Sequence, residues 1–229
     1  NIANTMLAFC AIAVLYGSMH YALHLSGAIP LRSVRLSVVP QRVDAEQVLQ
    51  LLRTEARGNL VTVDIEGLRQ SLEKQPWVRT VNIRREFPGR LVVQLEEHQP
   101  LARWNDDALV NLQGEVFAAE IEAGGQVLPS FTGPAGTSAE VSQQYAEFGR
   151  QLAGLDLRAA QLSLSPRHAW QLRLGNGMVL ELGREDVQQR LARFVAVYPY
   201  SLAAIQSRVK FVDLRYRNGF AVSGLTKRS

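Results

Sequence analysis

The sequence predicts an α+β protein with a single N-terminal transmembrane helix, a β-α-α-β-β domain, and a mostly antiparallel β domain with two helices and an edge C-terminal strand. Three observations predict it. No charged side chain occurs before Arg32 in the 229 residues. Two amphipathic helical patterns then lie among alternating strands, and several hairpin signals follow Pro100. We place the three parts at residues 2–25, 31–98 and 100–229.

The first part is an uncharged apolar stretch at residues 2–25. As a helix it would be about 36 Å long, enough to cross a hydrocarbon core of roughly 30 Å. A cleaved signal peptide is the alternative, because Ser26-Gly27-Ala28 supplies small residues. His20 and His24 share a helix face, and we interpret them as interfacial residues rather than a metal or proton site. Cys10, the one cysteine, can form neither an internal disulfide nor a thiolate cluster.

The second part alternates between helical and strand periodicity. An Asp side chain caps the N-terminus of a helix well, and a Gly favours its end. The residue before a Pro disfavours helical backbone angles, so a helix also tends to end there. The expected elements are a strand at Val34–Val39, a helix capped by Asp44 and stopped by Gly58, a helix from Asp64 through Lys74, and strands at Val78–Arg85 and Arg90–Glu97 joined by Phe87-Pro88-Gly89.

In the third part, the residue pattern predicts short strands and two helices. Helical spacing of apolar residues begins at Thr137 or Ser138, and again at Arg184, where Pro199 is expected to end the helix. Strands are expected at Leu101–Trp104, Ala108–Val110, Glu115–Ala118, Trp170–Leu174 and Met178–Leu182.

The last hairpin signal is the clearest in the chain. Asn218-Gly219 separates Arg208–Tyr216 from Phe220–Gly224, and this dipeptide favours a two-residue type I′ turn. That turn would set Tyr216 opposite Ala221 and Arg215 opposite Val222. The final strand is then a candidate open edge, which either aggregates or receives a partner strand. The alternative is that an earlier strand or the tail covers it.

Catalytic motifs are missing from the sequence. It contains no HExxH, CxxC, P-loop or GxSxG pattern. Glu96 and Glu97 are strand neighbours and point to opposite faces, so they do not converge on a substrate. The net charge of +4 comes without a dense Lys/Arg run. We therefore expect no enzyme, no cofactor, no small-molecule substrate and no nucleic-acid partner.

Residues 31–98 resemble a POTRA domain in element order and in local text. The matching text is Leu60 to Asp64, Pro76-Trp77-Val78, Phe87-Pro88-Gly89-Arg90-Leu91 and Glu97. One departure is Val39-Pro40-Gln41, where many relatives place a Gly. The resemblance implies a module that binds partner polypeptides.

Over nearly its whole length the chain resembles the FtsQ/DivIB family of bacterial cell-division proteins. The text that carries this resemblance is Arg103-Trp104-Asn105-Asp106, Leu128-Pro129, Gly133-Pro134, Trp170-Gln171-Leu172, Leu182-Gly183-Arg184, Arg190 to Phe194, Tyr198-Pro199 and Val212 to Tyr216. The resemblance implies a bitopic inner-membrane protein at the division septum, with a cytoplasmic N-terminus and a periplasmic bulk. It implies a scaffold without catalysis that holds FtsB and FtsL, which regulate FtsW and FtsI, while FtsK acts upstream.

The family's FtsB site lies on the last strand and the strand before it. The resemblance carries it onto Phe211, Arg215, Tyr216, Asn218, Gly219, Phe220, Ala221, Val222, Ser223 and Gly224, with Arg167 as a further basic contact. Arg215 and Arg167 would meet acidic side chains, because Arg forms bidentate pairs with carboxylates. Tyr216 would serve as an aromatic anchor.

Two other functions remain open at this point. One is a POTRA-bearing chaperone or translocation factor, although such factors usually carry several POTRA units or a β-barrel, and barrel patterning is absent from this sequence. The other, weaker one is a periplasmic cell-wall hydrolase, which would need a catalytic cluster.

Overall fold

The computed structural model describes residues 2–24, 29–121, 127–217 and 219–224. The chain divides into two compact units, Asn1–His98 and Gln99–Ser229. Each unit has its own hydrophobic core.

Helix α1 runs over Ile2–His24. Within it, the 19 residues Asn4–Ala22 have a mean hydropathy of 1.4, and none of them is buried by other parts of the described chain. Its length and composition are those of a membrane-crossing helix. The Ser18 hydroxyl donates a hydrogen bond to the Leu15 carbonyl at 3.0 Å, so this polar side chain finds its partner within the helix.

The rest of the first unit has the predicted β-α-α-β-β order. Its elements are β1 (Ser33–Leu36), α2 (Ala45–Glu55), α3 (Ile65–Glu73), β2 (Val78–Glu86) and β3 (Arg90–Glu97). The strand order is β1-β3-β2, with β3 parallel to β1 and antiparallel to β2. The strand expected at Val34–Val39 ends early, at Leu36, and Val39 is 76% exposed.

Both predicted N-caps of the first unit are confirmed. Asp44 accepts from the Glu46 and Gln47 amides, and Asp64 accepts from the Gly67 amide at 3.0 Å. The apolar stripes of the two helices meet one face of the sheet. Their fully buried contributions to the core are Leu52 and Leu72, which join Leu60, Leu91 and Val93.

The second unit is built on one mixed sheet. Its elements are β4 (Pro100–Trp104), β5 (Ala108–Asn111), β6 (Val116–Phe117), β7 (Ser130–Thr132), α4 (Ser138–Leu152), β8 (Ala159–Leu164), β9 (Trp170–Leu174), β10 (Val179–Gly183), α5 (Val187–Ser201), a 3-10 helix (Ala203–Arg208), β11 (Phe211–Asp213) and β12 (Ala221–Ser223). The nine strands are ordered β12-β11-β10-β9-β8-β7-β4-β5-β6. Five of the eight pairings are antiparallel, and β4–β7, β7–β8 and β10–β11 are parallel.

Helix α5 differs from its prediction at both ends. It begins at Val187 rather than Arg184, and it continues through Pro199 to Ser201. A proline removes one helical hydrogen bond. Here the chain on either side is held by burial, since Tyr198 and Leu202 are in the core and the Leu202 amide donates to the Tyr198 carbonyl. Packing therefore outweighs the local signal.

The predicted register of the last hairpin is wrong. Asp213, not Tyr216, lies opposite Ala221, and Val212, not Arg215, lies opposite Val222, a shift of three residues. Strand β11 ends at Asp213 because the Asp213 carboxylate accepts hydrogen bonds from the Arg215 amide and guanidinium and turns the chain. Strand β12 begins only at Ala221, so Arg215 and Tyr216 lie outside the β11–β12 ladder.

Candidate partner-binding edge

Strand β12 lies at one edge of the nine-stranded sheet. Its only pairing in the described part of the chain is with β11, through Phe211↔Ser223, Val212↔Val222 and Asp213↔Ala221. The rim beyond it carries no further strand among the described residues. This is the edge at which another extended segment can be added.

The direction of the backbone groups on β12 follows from its neighbours. The Leu214 amide donates to the Glu181 carbonyl, and the Val179 amide donates to the Lys210 carbonyl, so the residues on either side of β11 bond to β10, although the Lys210 amide itself donates to the Ser223 carbonyl at 3.3 Å. By alternation Val212, the middle residue of β11, also bonds to β10. Because backbone groups alternate along a strand, Phe211 and Asp213 bond to β12. Their partners Ser223 and Ala221 therefore point inward. The N–H and C=O of Val222 point away from β11, to a side where the described residues place no further strand.

The side chains of β12 separate by face. Val222 is half-buried and packs on the core of the second unit, as Phe220 does just before the strand. Ala221, Ser223 and Gly224 are exposed. Gly224 has φ +80°, and a Cβ there would lie 2.8 Å from Lys210 Cβ, so this position requires glycine. A partner strand would meet small side chains on the exposed face.

Arg215 is held by an acidic neighbour of its own chain. Its Nε and Nη2 donate to Asp213 at 2.9 and 2.7 Å. Hydrogen bonds from Arg215 hold the pKa of Asp213 below its usual value despite burial, with smaller help from the charge of Arg190. The same contacts raise the pKa of the Arg215 guanidinium. Arg215 remains on the surface and keeps its Nη1 donors for another carboxylate.

Arg167 and Arg215 line the same groove of about 380 Å³. Arg167 lies in the turn between β8 and β9, and Arg215 follows β11, so strands distant in sequence bring them together. The wall also contains Arg184, Arg190 and Glu185. Arg184 is paired with Glu185, and Arg190 donates to the Leu182 carbonyl, which leaves a basic groove overall.

Sequence reasoning gave no role to Arg184, Arg190 or Gly183. Gly183 has φ +72° at a bulge in β10, and a Cβ there would come within 2.8 Å of Arg190 Nη1 and 3.2 Å of Arg215 Cγ. The absence of a side chain therefore lets two arginines approach the strand. The segment Leu182-Gly183-Arg184 is one of those that carry the family resemblance, and this resemblance was the sequence signal that pointed to these residues.

A second cavity, of about 280 Å³, adjoins the rim on the side of α5. The cavity is lined by the apolar residues Ala196, Val197, Leu214 and Phe220. Three arginines, Arg190, Arg193 and Arg217, line it as well, together with Gly219. Tyr216 is 58% exposed, and Phe211 is half-buried on β11. The predicted site residue Asn218 lies outside the described residues.

Groups of three or more His, Cys, Asp or Glu side chains suited to a metal ion do not occur among the described residues. The side chain of His24 lies outside what the structure describes, so the pair with His20 is not tested. Among the described residues, this part of the second unit combines an edge strand with outward-facing backbone groups, a basic groove and an apolar cavity.

Two family models match the chain. Residues 29–98 match the POTRA domain, FtsQ-type, which confirms the predicted resemblance of the first unit. Residues 102–215 match the model described as cell division protein FtsQ/DivIB, C-terminal. The second match covers most of the large sheet and ends at Arg215, two residues after the end of β11.

Curated relatives match over nearly the full length. The cell division protein FtsQ of Nitrosospira multiformis is 39% identical over 229 aligned residues, covering 98% of this chain and 95% of that protein. The cell division protein FtsQ of Burkholderia pseudomallei is 36% identical, covering 97% of this chain and 90% of that protein. The Escherichia coli cell division protein FtsQ is 39% identical over 170 residues, covering 72% of this chain and 62% of that protein.

Proposed function

This chain belongs to the FtsQ/DivIB family of cell division proteins, and on that basis we propose that it is a non-catalytic scaffold that binds FtsB by strand addition at β12. FtsL would join through FtsB. FtsW and FtsI would belong to the larger complex, and FtsK would act upstream. The membrane-anchored division role follows from the family and the apolar helix α1.

The observation that carries the proposal is the outward-facing backbone of Val222. A segment of FtsB laid along β12 would accept from the Val222 amide and donate to its carbonyl. Main-chain bonds of this kind supply affinity and tolerate side-chain variation. They also satisfy polar groups that would otherwise be costly to bury in an interface.

Specificity would come from two cavities, one lined by Gly219 and Phe220 just before β12 and one lined by Arg215 just after β11. Acidic side chains of FtsB would enter the groove of Arg167 and Arg215 and form charge-assisted hydrogen bonds. An apolar side chain would enter the cavity floored by Leu214 and Phe220. Arg190 lines both cavities, so they adjoin, and a segment of FtsB that continues beyond β12 toward Arg215 would reach both.

We propose the following topology. Helix α1 crosses the inner membrane once, with its N-terminus in the cytoplasm and both folded units in the periplasm, and the protein gathers at the division septum. A fluorescent fusion tests the location: a midcell band in dividing cells supports the scaffold, and an even envelope signal supports the chaperone instead.

Amide hydrogen exchange tests strand addition directly. The experiment compares the whole chain in a mild detergent with and without FtsB, at single-residue resolution. Ala221 and Ser223 bond to β11, so FtsB should change them little. The Val222 amide should exchange fast alone and slow at least about tenfold in the complex. Unchanged exchange at Val222 in a complex that has formed would rule out pairing at this rim.

A further inference from the structure

The turn between β2 and β3 presents an aromatic side chain to solvent. Phe87 is 67% exposed, and Pro88 beside it is exposed too. The turn itself is firmly held, since β2 and β3 pair without a break from Thr80↔Glu96 to Glu86↔Arg90. A large apolar side chain on a rigid, protruding turn is the geometry of an interfacial anchor.

The same turn is fastened to the chain that leaves α1. The Arg32 amide donates to the Gly89 carbonyl at 2.7 Å. Gly89 approaches so closely that a Cβ there would lie 2.6 Å from the Pro30 carbonyl oxygen. Arg32 lies eight positions after His24, the last residue of α1. Even fully extended, the chain between them would keep the turn within about 28 Å of the end of the helix.

Three exposed arginines lie on the segments that meet at this turn. Arg32 contacts Gly89, Arg57 lies two residues before Asn59, which bridges to Pro30, and Arg84 lies two residues before Glu86. All three are exposed, and none forms an ion pair within the described residues. Arg90 is paired with Glu86. This end of the first unit therefore carries net positive charge.

The opposite end of the unit is different. There Glu97 accepts from the amides of residues 41–43, and Glu96 pairs with Arg79. Val39 is exposed at this end, beyond the last β1–β3 pair, Leu36↔Val93. The opposite end also exposes Arg42, which stacks on the Trp77 ring at 4.4 Å, and Lys74. What distinguishes the end tied to α1 is that three exposed arginines accompany the exposed ring of Phe87.

We propose that Arg32, Arg57, Arg84 and Phe87, together the hairpin-tip surface, bind the anionic phospholipid headgroups of the membrane that α1 spans. The inference rests on the proposed membrane anchoring of α1. Guanidinium groups form bidentate hydrogen bonds with phosphate, and an aromatic ring settles at the headgroup level. Because α1 keeps the turn close to the bilayer, even weak contacts would be populated through high effective concentration.

Photocrosslinking of the whole chain in lipid nanodiscs tests the proposal. Benzoylphenylalanine is placed at Phe87, at Val14 within α1, and at Val39 on the opposite end of the first unit. In nanodiscs rich in phosphatidylglycerol, lipid adducts are expected at positions 87 and 14 but not at 39. Adducts at 14 without adducts at 87 would overturn the docking and leave the anchoring intact. Lack of adducts at 14 would instead overturn the anchoring.

Charge dependence completes the test. Arg32→Gln, Arg57→Gln and Arg84→Gln, combined, should lower the adduct yield at position 87 at least about fivefold and leave that at position 14 unchanged. Nanodiscs of phosphatidylcholine should give the same reduction without any substitution. Equal yields at position 87 in both lipids, or in both charge forms, would contradict headgroup binding.

Discussion

Asp213 accepts three hydrogen bonds from Arg215, two residues further along the chain. The Arg215 amide, Nε and Nη2 lie 3.0, 2.9 and 2.7 Å from the Asp213 carboxylate. Asp213 is only 9% exposed, whereas the Arg215 guanidinium remains on the surface. This pair ends β11 and fixes where Arg215 stands beside the basic groove.

The first prediction concerns the charge of Asp213. The pKa of Asp213 is lowered in the folded chain, so its stabilising effect is present above the unfolded value of about 3.9 and is lost as pH falls through the folded value. Asp213→Asn should therefore lower the urea midpoint at neutral pH, and the midpoints of the two proteins should converge as the pH falls through the lowered pKa of Asp213. Urea unfolding of both in the same detergent measures this. If the urea midpoints of the two proteins still differed in acid, the effect of the substitution would come from lost packing or hydrogen-bond geometry rather than from the charge of Asp213.

The second prediction concerns the rim of β12. Val222→Pro removes the outward N–H and should weaken FtsB binding at least about tenfold. Val222→Ala keeps that N–H and trims the same side chain, so it should cost less than about threefold. Binding by calorimetry with the whole chain measures both. Equal losses for the two variants would show that the side chain, not the backbone, is recognised.

A companion variant distinguishes the two sides of the strand. The Ala221 amide points to β11, so Ala221→Pro removes a bond within the sheet. It should loosen β12 itself, seen as faster amide exchange at Asp213 and Ser223. Val222→Pro should leave the exchange of those amides unchanged.

The third prediction concerns the geometry of Arg215. Lysine keeps the charge but cannot bind Asp213 in a bidentate way and offer donors to a partner at the same time. Arg215→Lys should weaken FtsB binding several-fold, by about 1 kcal/mol of binding free energy. Arg150→Lys, on the exposed end of α4, is the matched control and should have no effect. Equal affinity of wild type and Arg215→Lys would remove Arg215 from the interface.

Local signals predicted most of the first unit and less of the second. Asp44 and Asp64 mark helix starts by chemistry that acts within three residues, and the structure confirms both. Strands β7 and β8 were not predicted. They pair in parallel through a crossover that contains α4, so no hairpin turn lies between them to predict the pairing. In addition, Ser130–Thr132 is only three residues long, too short to show a strand pattern. Long-range pairing decides these strands.

The candidate site shows the same division. The edge position of β12 followed from chain order, but its register did not follow from Asn218-Gly219. The contact of Arg215 with Asp213 ends β11 earlier than the turn signal implies. Arg167 was named only through the family resemblance, because its place beside Arg215 depends on the order β11-β10-β9-β8. Residue patterns along the chain do not show the order in which strands lie in a sheet, so they could not place Arg167 beside Arg215.

The last prediction concerns Glu97, which ends β3. Its carboxylate accepts from the amides of Gln41, Arg42 and Val43 at 2.9, 2.7 and 2.8 Å, so one side chain satisfies the turn that leads into α2. Glu97→Ala should lower the stability of the first unit by about 1–3 kcal/mol, because three backbone donors lose a charged acceptor. Amide exchange of the whole chain should speed up at residues 41–43 and in α2, while the β9 amides stay unchanged. Glu96→Ala, which removes the Arg79 pair on the exposed face, is the control and should cost less than about 1 kcal/mol. Equal effects of the two variants would mean that Glu97 acts only as surface charge.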